Sequence, residues 1–225
     1  MLGIFLRIFK IFLSSVYSIF RKSAVNIIFV VSIIYFSFFF TPLFWFGGNN
    51  LIYYNEQKKT EAVYILSGHQ GFNYWNDSYK ERFFDILHWV DKYDGKKNTK
   101  FFLLGKLQAI PEQKILESLM IMEGINKTNI NVIYQEYKNS VQALSILIEE
   151  LEKNKISSVT IITSPYHSLR LSSSWKEMTN NKYETVFFKN INPPKKNNFF
   201  ERSYNKKEII YEYLANIYYF SKLSK

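Results

Sequence analysis

The chain has 225 residues, a formal net charge of +10, no cysteine, and contents of 47% hydrophobic and 19% aromatic residues. This length allows one globular domain with an appendage and excludes a large multidomain enzyme. The apolar content is sufficient for a buried core, which excludes a disordered chain. Without cysteine the protein has no disulfide framework, no thiolate nucleophile and no cysteine zinc site.

Two apolar segments open the chain. Residues 1–22 predict a basic amphipathic helix in the membrane interface, because Arg7 and Lys10 share one helical stripe with two serines. Residues 23–46 contain 24 uncharged positions, and a helix of that length spans about 36 Å against about 30 Å of hydrocarbon. They predict a retained transmembrane helix, since the apolar core of a signal peptide is shorter. A second span over residues 2–20 is left open.

The charge distribution predicts the orientation of this membrane segment. Four cations precede the span, whereas Lys58 and Lys59 beyond it are accompanied by Glu56 and Glu61. The positive-inside rule therefore predicts a single-pass protein of the cell membrane with a cytoplasmic N-terminus and an extracytoplasmic domain. Cations that flank an apolar run favour anionic lipid, so we expect membrane lipid and no nucleic acid as a partner. Residues 47–60 are interpreted as a linker.

Five β-rich runs alternate with helical patterns in the rest of the chain. Near-continuous apolar strands separated by helices are typical of a parallel sheet covered on both faces. The predicted class is α/β, a three-layer α/β/α sandwich with a mostly parallel sheet over residues 61–190. Residues 191–225 are predicted to be a basic loop and a C-terminal helix. The predicted strands are residues 62–67, 100–105, 131–136, 159–164 and 185–190.

Helix starts are visible in the same region. Asn139 or Ser140 is expected to cap one helix, and Ser164 followed by Pro165 is expected to begin the next. The C-terminal helix, over residues 206–220, carries an apolar stripe that is expected to pack on the sheet, with docking to a membrane partner as the alternative. The stripe consists of Ile209, Ile210, Tyr213, Leu214 and Ile217.

Polar residues follow four successive strands, at the ends where open parallel sheets bind ligands. His167 and Arg170 lie three residues apart near the expected helix start at Ser164, beside free N–H groups and the positive end of the helix dipole. This cluster favours a phosphate or carboxylate, with Arg170 binding two oxygens and His167 donating a proton. The alternative is a structural ion pair of Arg170 with Glu112 or Glu136.

The candidate site therefore draws on several loops. The predicted ligand-binding residues are Ser67, Gly68, Gly105, Glu136, Ser140, Ser164 and Arg170. The predicted catalytic residues are His167 and Glu112. The sequence contains no H-E-x-x-H motif, no close histidine pair and no P-loop, so we expect neither a dedicated metal site nor a Walker-type nucleotide site. The cofactor is unknown.

The order of these motifs resembles the YdcF-like family of domains of unknown function, over about residues 61–178. The most specific piece is IITSPYHSLR at residues 161–170, which is similar to that family's V-T-S-x-Y-H-x-x-R signature. Glu112 ahead of Gly124, and Glu136 ahead of Ser140, resemble further family elements. The resemblance implies a three-layer α/β/α domain, often membrane-anchored, with a role in envelope or peptidoglycan metabolism and, in one branch, affinity for S-adenosylmethionine.

Two functions follow as hypotheses. The first is a membrane-anchored protein of cell-envelope metabolism that binds an anionic small molecule or a phosphate-bearing, lipid-linked saccharide. Arg170 would hold the anion, His167 would act as acid or base, and Glu112 or Glu136 would orient it. The second is a non-catalytic binding module for S-adenosylmethionine or another nucleotide-like metabolite, favoured because the sequence displays no recognisable pair of nucleophile and base. Catalysis and oligomeric state are left open.

Overall fold

The structure is a computed structural model that describes Tyr17 and residues 21–36, 47–66, 77–105, 112–188 and 203–223. Its contacts divide the chain into two units, Met1–Gly47 and Gly48–Lys225. In the first unit residues 21–36 are helical. The remainder of the predicted span and nearly all of residues 1–22 lie outside the described residues. None of the helices described has both the length and the hydropathy needed to cross a bilayer.

The second unit is built on a five-stranded sheet with the order β3-β2-β1-β4-β5. Every pairing between neighbouring strands is parallel, which confirms the predicted α/β class and parallel sheet. The chain order reverses between β1 and β4, and such a reversal marks the crevice where open α/β sheets bind ligands. The strands are β1 (Ala62–Leu66), β2 (Lys100–Gly105), β3 (Ile130–Tyr134), β4 (Ser158–Ile162) and β5 (Glu184–Phe187).

Helices cover both faces of this sheet. They are α1 (Asp77–Tyr93), α2 (Glu112–Met122), α3 (Ser140–Lys153), α4 (Ser168–Thr179) and α5 (Ser203–Leu223). Val63 of β1 packs in a cluster with residues of α1 and α2, whereas its neighbour Tyr64 packs in a second cluster with residues of α3 and α4. The central strand is therefore buried on both faces, which explains why its sequence is continuously apolar.

Three strands end earlier than the sequence predicts, among them β5, which stops at Phe187 instead of residue 190. β3 stops at Tyr134 instead of residue 136, because Tyr134 pairs with Gly105 and β2 ends there. β3 is the outermost strand on its side, so β2 is its partner, and the described pairing between them ends at Gly105 and Tyr134. β4 stops at Ile162, and a 3₁₀ turn over Pro165–His167 then leads into α4.

Residues 48–60, interpreted from sequence as part of a linker, belong to the compact second unit. Asn55 Nδ2 donates to the carbonyl of Thr185 at 2.6 Å, and Asn55 Oδ1 accepts from the backbone N–H of Phe187 at 2.8 Å. Gln57 Nε2 donates to the carbonyl of Phe187 at 3.0 Å. These amides occupy hydrogen-bonding groups of β5, an outermost strand whose backbone would otherwise be open to another chain.

Helix α5 buries Ile209 together with two polar residues and exposes several of its other apolar residues. Its inward residues, at 1, 3 and 7% exposure, are Ile209, Glu212 and Asn216. Its outward apolar residues, at 37, 62 and 66% exposure, are Ile210, Leu214 and Ile217. The expectation that the apolar stripe packs on the sheet is therefore wrong for these last three residues. The buried side of α5 is held instead by an ion pair between its Glu212 and Arg170 of α4.

Candidate functional site

The carboxyl rim is the boundary of the sheet at which the five parallel strands end, at Leu66, Gly105, Tyr134, Ile162 and Phe187. Because α1 to α4 each follow a strand, their first turns lie at this rim. Side chains from distant parts of the sequence can therefore meet there. Ser67 and Gly68, predicted to bind ligand from the loop after β1, lie outside the described residues.

Ser140 begins α3 and is positioned by its neighbours. Asn139 takes the N-cap, its side-chain oxygen accepting from the N–H of Gln142 at 3.0 Å, so the Ser140 hydroxyl is left for other partners. Further along, Tyr64 Oη of β1 donates to the carbonyl of Ala143 at 3.2 Å. Burial raises the pKa of Tyr64 well above its ordinary value, so this hydroxyl stays protonated and ties the start of α3 to β1.

His167 ends the 3₁₀ turn between β4 and α4. Ser164 occupies the N-cap position of this turn, but its side chain makes no capping hydrogen bond, so the hydroxyl cap predicted from sequence does not form. The imidazole Nε2 lies 3.2 Å from Ser140 Oγ, and Nδ1 lies 3.5 Å from Thr163 Oγ1. The turn thus places the imidazole of His167 in contact with the hydroxyl of Ser140, which is 27 residues earlier in the chain.

Arg170 forms a bidentate ion pair with Glu212 of α5. Its Nε and Nη2 donate to the two carboxylate oxygens at 2.8 and 3.0 Å, and its Nη1 donates to Ser140 Oγ at 3.3 Å. The two side chains of the pair are only 14 and 4% exposed. The structural ion pair considered from sequence therefore exists, but its acid is Glu212, which was not anticipated, instead of Glu112 or Glu136.

Ser140, Thr163, His167 and Arg170, called here the rim cluster, form a connected chain of polar contacts. A guanidinium can only donate, so Ser140 Oγ accepts from Arg170. When the one hydroxyl hydrogen of Ser140 is donated to His167 Nε2, the neutral imidazole is in its Nδ1–H tautomer. In this state Nε2 can take up a proton. Glu212 balances Arg170, so the neutral imidazole leaves this group of side chains without net charge.

The rim cluster as defined does not include three other predicted residues, Gly105, Glu136 and Glu112. Gly105 ends β2 at the rim, but Gln113 fills the space above it, since a Cβ on Gly105 would lie 0.5 Å from Gln113 Nε2. The absence of a side chain at Gly105 therefore leaves room for the side chain of Gln113. Glu136 lies beyond the end of β3 and is exposed. Glu112 begins α2 through its backbone, and its side chain lies outside the described part of the chain.

Two buried polar residues near the rim were missed from sequence. Arg82 is 4% exposed and donates from Nη1 to the carbonyl of Leu66, and Gln113 is 2% exposed. Within the described residues, Arg82 Nε and Gln113 Oε1 have no hydrogen-bond partner, which is uncommon for buried polar atoms. In the sequence Arg82 sits in an ordinary helical pattern and Gln113 in an ordinary first turn, so neither gives a signal of burial.

Two further properties bear on the site: its capacity to bind a metal ion and the similarity of the chain to known proteins. Across the described ranges, no three His, Asp or Glu side chains are grouped so that they could hold a metal ion. Comparisons with family models, with curated proteins and with solved structures find no match to this chain. The function of the site is therefore argued from its own residues.

Proposed function

We propose that this protein binds a small anionic ligand, a phosphate or a carboxylate, at the carboxyl rim beside β1 and β4. The observation that carries the proposal is that one hydroxyl, Ser140 Oγ, lies within 3.3 Å of both His167 Nε2 and Arg170 Nη1. These groups come from the starts of two helices, α3 and α4. The start of α3 adds backbone N–H groups without intrahelical partners and a positive dipole end, both of which favour an anion. At the start of α4 the N–H groups of His167, Ser168 and Leu169 already donate to backbone carbonyls, so this helix contributes through its side chains.

Glu212 changes the way in which Arg170 takes part. Because Nε and Nη2 are held by the carboxylate, only Nη1 is directed to Ser140. Arg170 therefore offers one donor to a ligand instead of the two-oxygen grip expected from sequence. An anion beside Ser140 would be bound by Nη1, by the Nε2–H of the protonated His167 imidazole and by N–H groups of the first turn of α3. One compact acidic group fits this arrangement.

The wider setting of this site is part of the same proposal. On its resemblance to the YdcF-like family, the protein acts in cell-envelope metabolism, on a phosphate-bearing or lipid-linked saccharide. Residues 23–46 anchor it as a single membrane span, with the N-terminus in the cytoplasm and the sandwich domain outside. The uncharged run supports the anchor, and the outward apolar residues of α5, such as Leu214, suit contact with lipid.

Lipid contact by α5 can be tested with a single spin label, because the chain contains no cysteine. Full-length Leu214→Cys carrying a nitroxide is reconstituted in bilayers of anionic phospholipid, with Ser118→Cys on the exposed surface of α2 as the matched control. We expect the label at position 214 to be accessible to dissolved oxygen and shielded from an aqueous nickel reagent, and the label at position 118 to show the reverse. Equal access of the aqueous reagent to both labels would contradict lipid contact.

A second candidate function is a non-catalytic binding module for S-adenosylmethionine or another nucleotide-like metabolite. The strand order favours it, because the reversal between β1 and β4 forms the kind of crevice in which doubly wound sheets bind nucleotides. In this case Ser140 and His167 hold the ligand and leave it chemically unchanged.

Both candidates are tested by titration calorimetry on the full chain in detergent, with inorganic phosphate and with S-adenosylmethionine. We expect phosphate to bind the wild type and His167→Ala to bind it at least about tenfold more weakly, which corresponds to about 1.4 kcal/mol. The thermal unfolding midpoint should be nearly unchanged, and His88→Ala, at an exposed position of α1, should bind like the wild type. Binding of S-adenosylmethionine alone would favour the second candidate, and equal phosphate binding by His167→Ala would reject the rim site.

A further inference from the structure

We propose that Ser140 is a nucleophile activated by His167, and that the ligand of the rim site is a carboxylic ester. The proposal rests on the proposed function, because the ester is part of the anionic ligand bound at the rim. The two residues are 27 positions apart, so their sequence spacing gives no sign of a pair. In the fold Ser140 Oγ and His167 Nε2 are 3.2 Å apart, which is the separation expected of a nucleophile and its base.

The contacts of the rim cluster set His167 up as a base. Arg170 Nη1 donates to Ser140 Oγ at 3.3 Å, and in the proposed reactive state the hydroxyl hydrogen of Ser140 is donated to Nε2. The other ring nitrogen, Nδ1, faces Thr163 Oγ1 at 3.5 Å. With the hydrogen of the neutral ring on Nδ1, Nε2 has a lone pair for the hydroxyl proton. Glu212 holds two nitrogens of the guanidinium, so Arg170 is a positioning residue whose direction is fixed.

The start of α3 can stabilise the charge that develops in such a reaction. Ser140 is the first residue of the helix, and Asn139 already binds the N–H of Gln142. The N–H of Val141, the residue after the nucleophile, lies in the first turn, where amides have no intrahelical acceptor. An amide at this position is a common oxyanion-hole donor.

The reaction is an ester hydrolysis in two steps. Ser140 Oγ bonds to the carbonyl carbon of the ester while Nε2 of His167 takes the hydroxyl proton. The tetrahedral intermediate then expels the alcohol, which leaves with that proton, and an acyl-serine remains. Water next attacks the acyl-serine, gives one proton to Nε2, and releases the carboxylic acid as the proton returns to Ser140. Ester and water are consumed, and acid and alcohol are formed.

Covalent labelling tests this proposal directly. The full chain is treated with an alkyl fluorophosphonate, and the modified peptide is identified by mass spectrometry. We expect one adduct, on Ser140, and at least a hundredfold slower labelling in Ser140→Ala and in His167→Gln. Ser145→Ala is the matched control, because Ser145 lies on the same helix and bonds only within it, to the carbonyl of Val141. Labelling of Ser140→Ala at the wild-type rate would overturn the proposal.

A thiol in place of the hydroxyl gives a second measurement that does not depend on turnover. Since the chain has no cysteine, Ser140→Cys and Ser145→Cys each contain one thiol, and their alkylation by iodoacetamide can be followed against pH. A thiol next to an imidazole and a guanidinium has a lowered pKa. We therefore expect the thiol pKa of Ser140→Cys to lie at least about one unit below the thiol pKa of Ser145→Cys. Adding His167→Gln to Ser140→Cys should remove most of the difference. Identical pH profiles would overturn the pairing.

The outcomes separate the nucleophile from the rim site itself. Phosphate binding without labelling at Ser140, and without a lowered thiol pKa, rejects the nucleophile and leaves the anion site standing. Labelling at Ser140 that phosphate neither slows nor prevents supports the nucleophile and rejects the anionic ligand. If phosphate slows the labelling of Ser140 and the effect saturates with phosphate concentration, the result supports both the nucleophile and the anion site.

Discussion

The two rims of the sheet use polar residues in different ways. At the amino rim, where the strands begin, the Glu61 carboxylate accepts from the backbone N–H of Ser157 at 2.7 Å and of Ser158 at 3.4 Å. The hydroxyls of Thr60 and Thr160 are 2.8 Å apart. These groups connect the segment that leads into β1 with the segment that leads into β4. At the carboxyl rim, Ser140 and His167 contact each other but are only half-buried.

This difference separates the groups that stabilise the fold from those available to a ligand. Polar groups of the amino rim that cross between strands are satisfied by other protein groups. At the carboxyl rim the ion pair between Arg170 and Glu212 stabilises α5, while Ser140 and His167 keep exposed surface. Substitutions at the first kind of residue should change unfolding, and substitutions at the second kind should change binding.

The largest loss of stability is expected for Glu212→Ala, which leaves Arg170 largely buried without its partner. Removal of one member of a buried ion pair costs about 3 to 5 kcal/mol, and we expect about 3 kcal/mol because Arg170 keeps 14% exposure. Urea unfolding measures this loss. The double variant Arg170→Met with Glu212→Leu should be more stable than Glu212→Ala. A loss below about 1 kcal/mol in Glu212→Ala would show that the pair does not hold α5.

A smaller loss is expected for Thr160→Val, a substitution of nearly equal shape. Thr160 is fully buried, and its hydroxyl bonds to Trp89 Nε1 at 3.2 Å and contacts Thr60. The substitution leaves the buried Nε1–H of Trp89 without its acceptor, whereas Thr60 keeps its hydrogen bond to the carbonyl of Ala62. A loss of this kind costs about 2 kcal/mol. Phosphate binding should be unchanged at equal folded concentration, because the site lies at the other rim. Unfolding at the wild-type urea midpoint, or loss of binding by a fully folded variant, would contradict this assignment.

The smallest loss in the free energy of unfolding, about 1 kcal/mol at pH 7, is expected for Glu61→Ala. The loss is small because the wild-type carboxylate is exposed and partly screened by water. The hydrogen bond from the backbone N–H of Ser157 is the main cause that lowers the pKa of Glu61 below its ordinary value. A lowered pKa in the folded state means that the stabilisation is complete above the unfolded pKa, about 4.3, and is lost as the pH falls through the folded pKa. Urea unfolding of both proteins from pH 7 to pH 3 should therefore show a difference that shrinks in acid. A difference that grows in acid would contradict it.

Much of the sheet could be predicted from local sequence. β1 is a continuous apolar run, and β4 is a β-branched run that includes the buried Ser158 and Thr160. Both strands are buried on both faces, and their patterns are readable without any knowledge of their neighbours. The end of β3 was not readable, since it depends on where β2 stops. Residues after Tyr134 still have β-prone sequence, but the described pairing of β3 with β2 ends where Tyr134 pairs with Gly105.

The sequence predicted where residues of the rim cluster lie in the fold better than it predicted which residues they contact. His167 and Arg170 were placed correctly at the end of β4 and the start of α4 because their positions follow from the local chain. Their partners were not predictable in this way, since Ser140 is 27 residues from His167 and Glu212 is 42 residues from Arg170. In α5 the neighbouring apolar stripe concealed the fact that Glu212 is on the buried side.

The most direct test of the ligand site is the state of His167 in solution, read from the ring nitrogens of ¹⁵N-histidine-labelled full chain by long-range ¹H–¹⁵N correlation. At pH values where the ring is neutral, the account predicts the Nδ1–H tautomer for His167. Added inorganic phosphate should shift both ring nitrogens of His167 with saturation and leave those of His88 in place. Phosphate that leaves the His167 signals unchanged, or that moves both histidines equally, would contradict the claim that the carboxyl rim binds an anion.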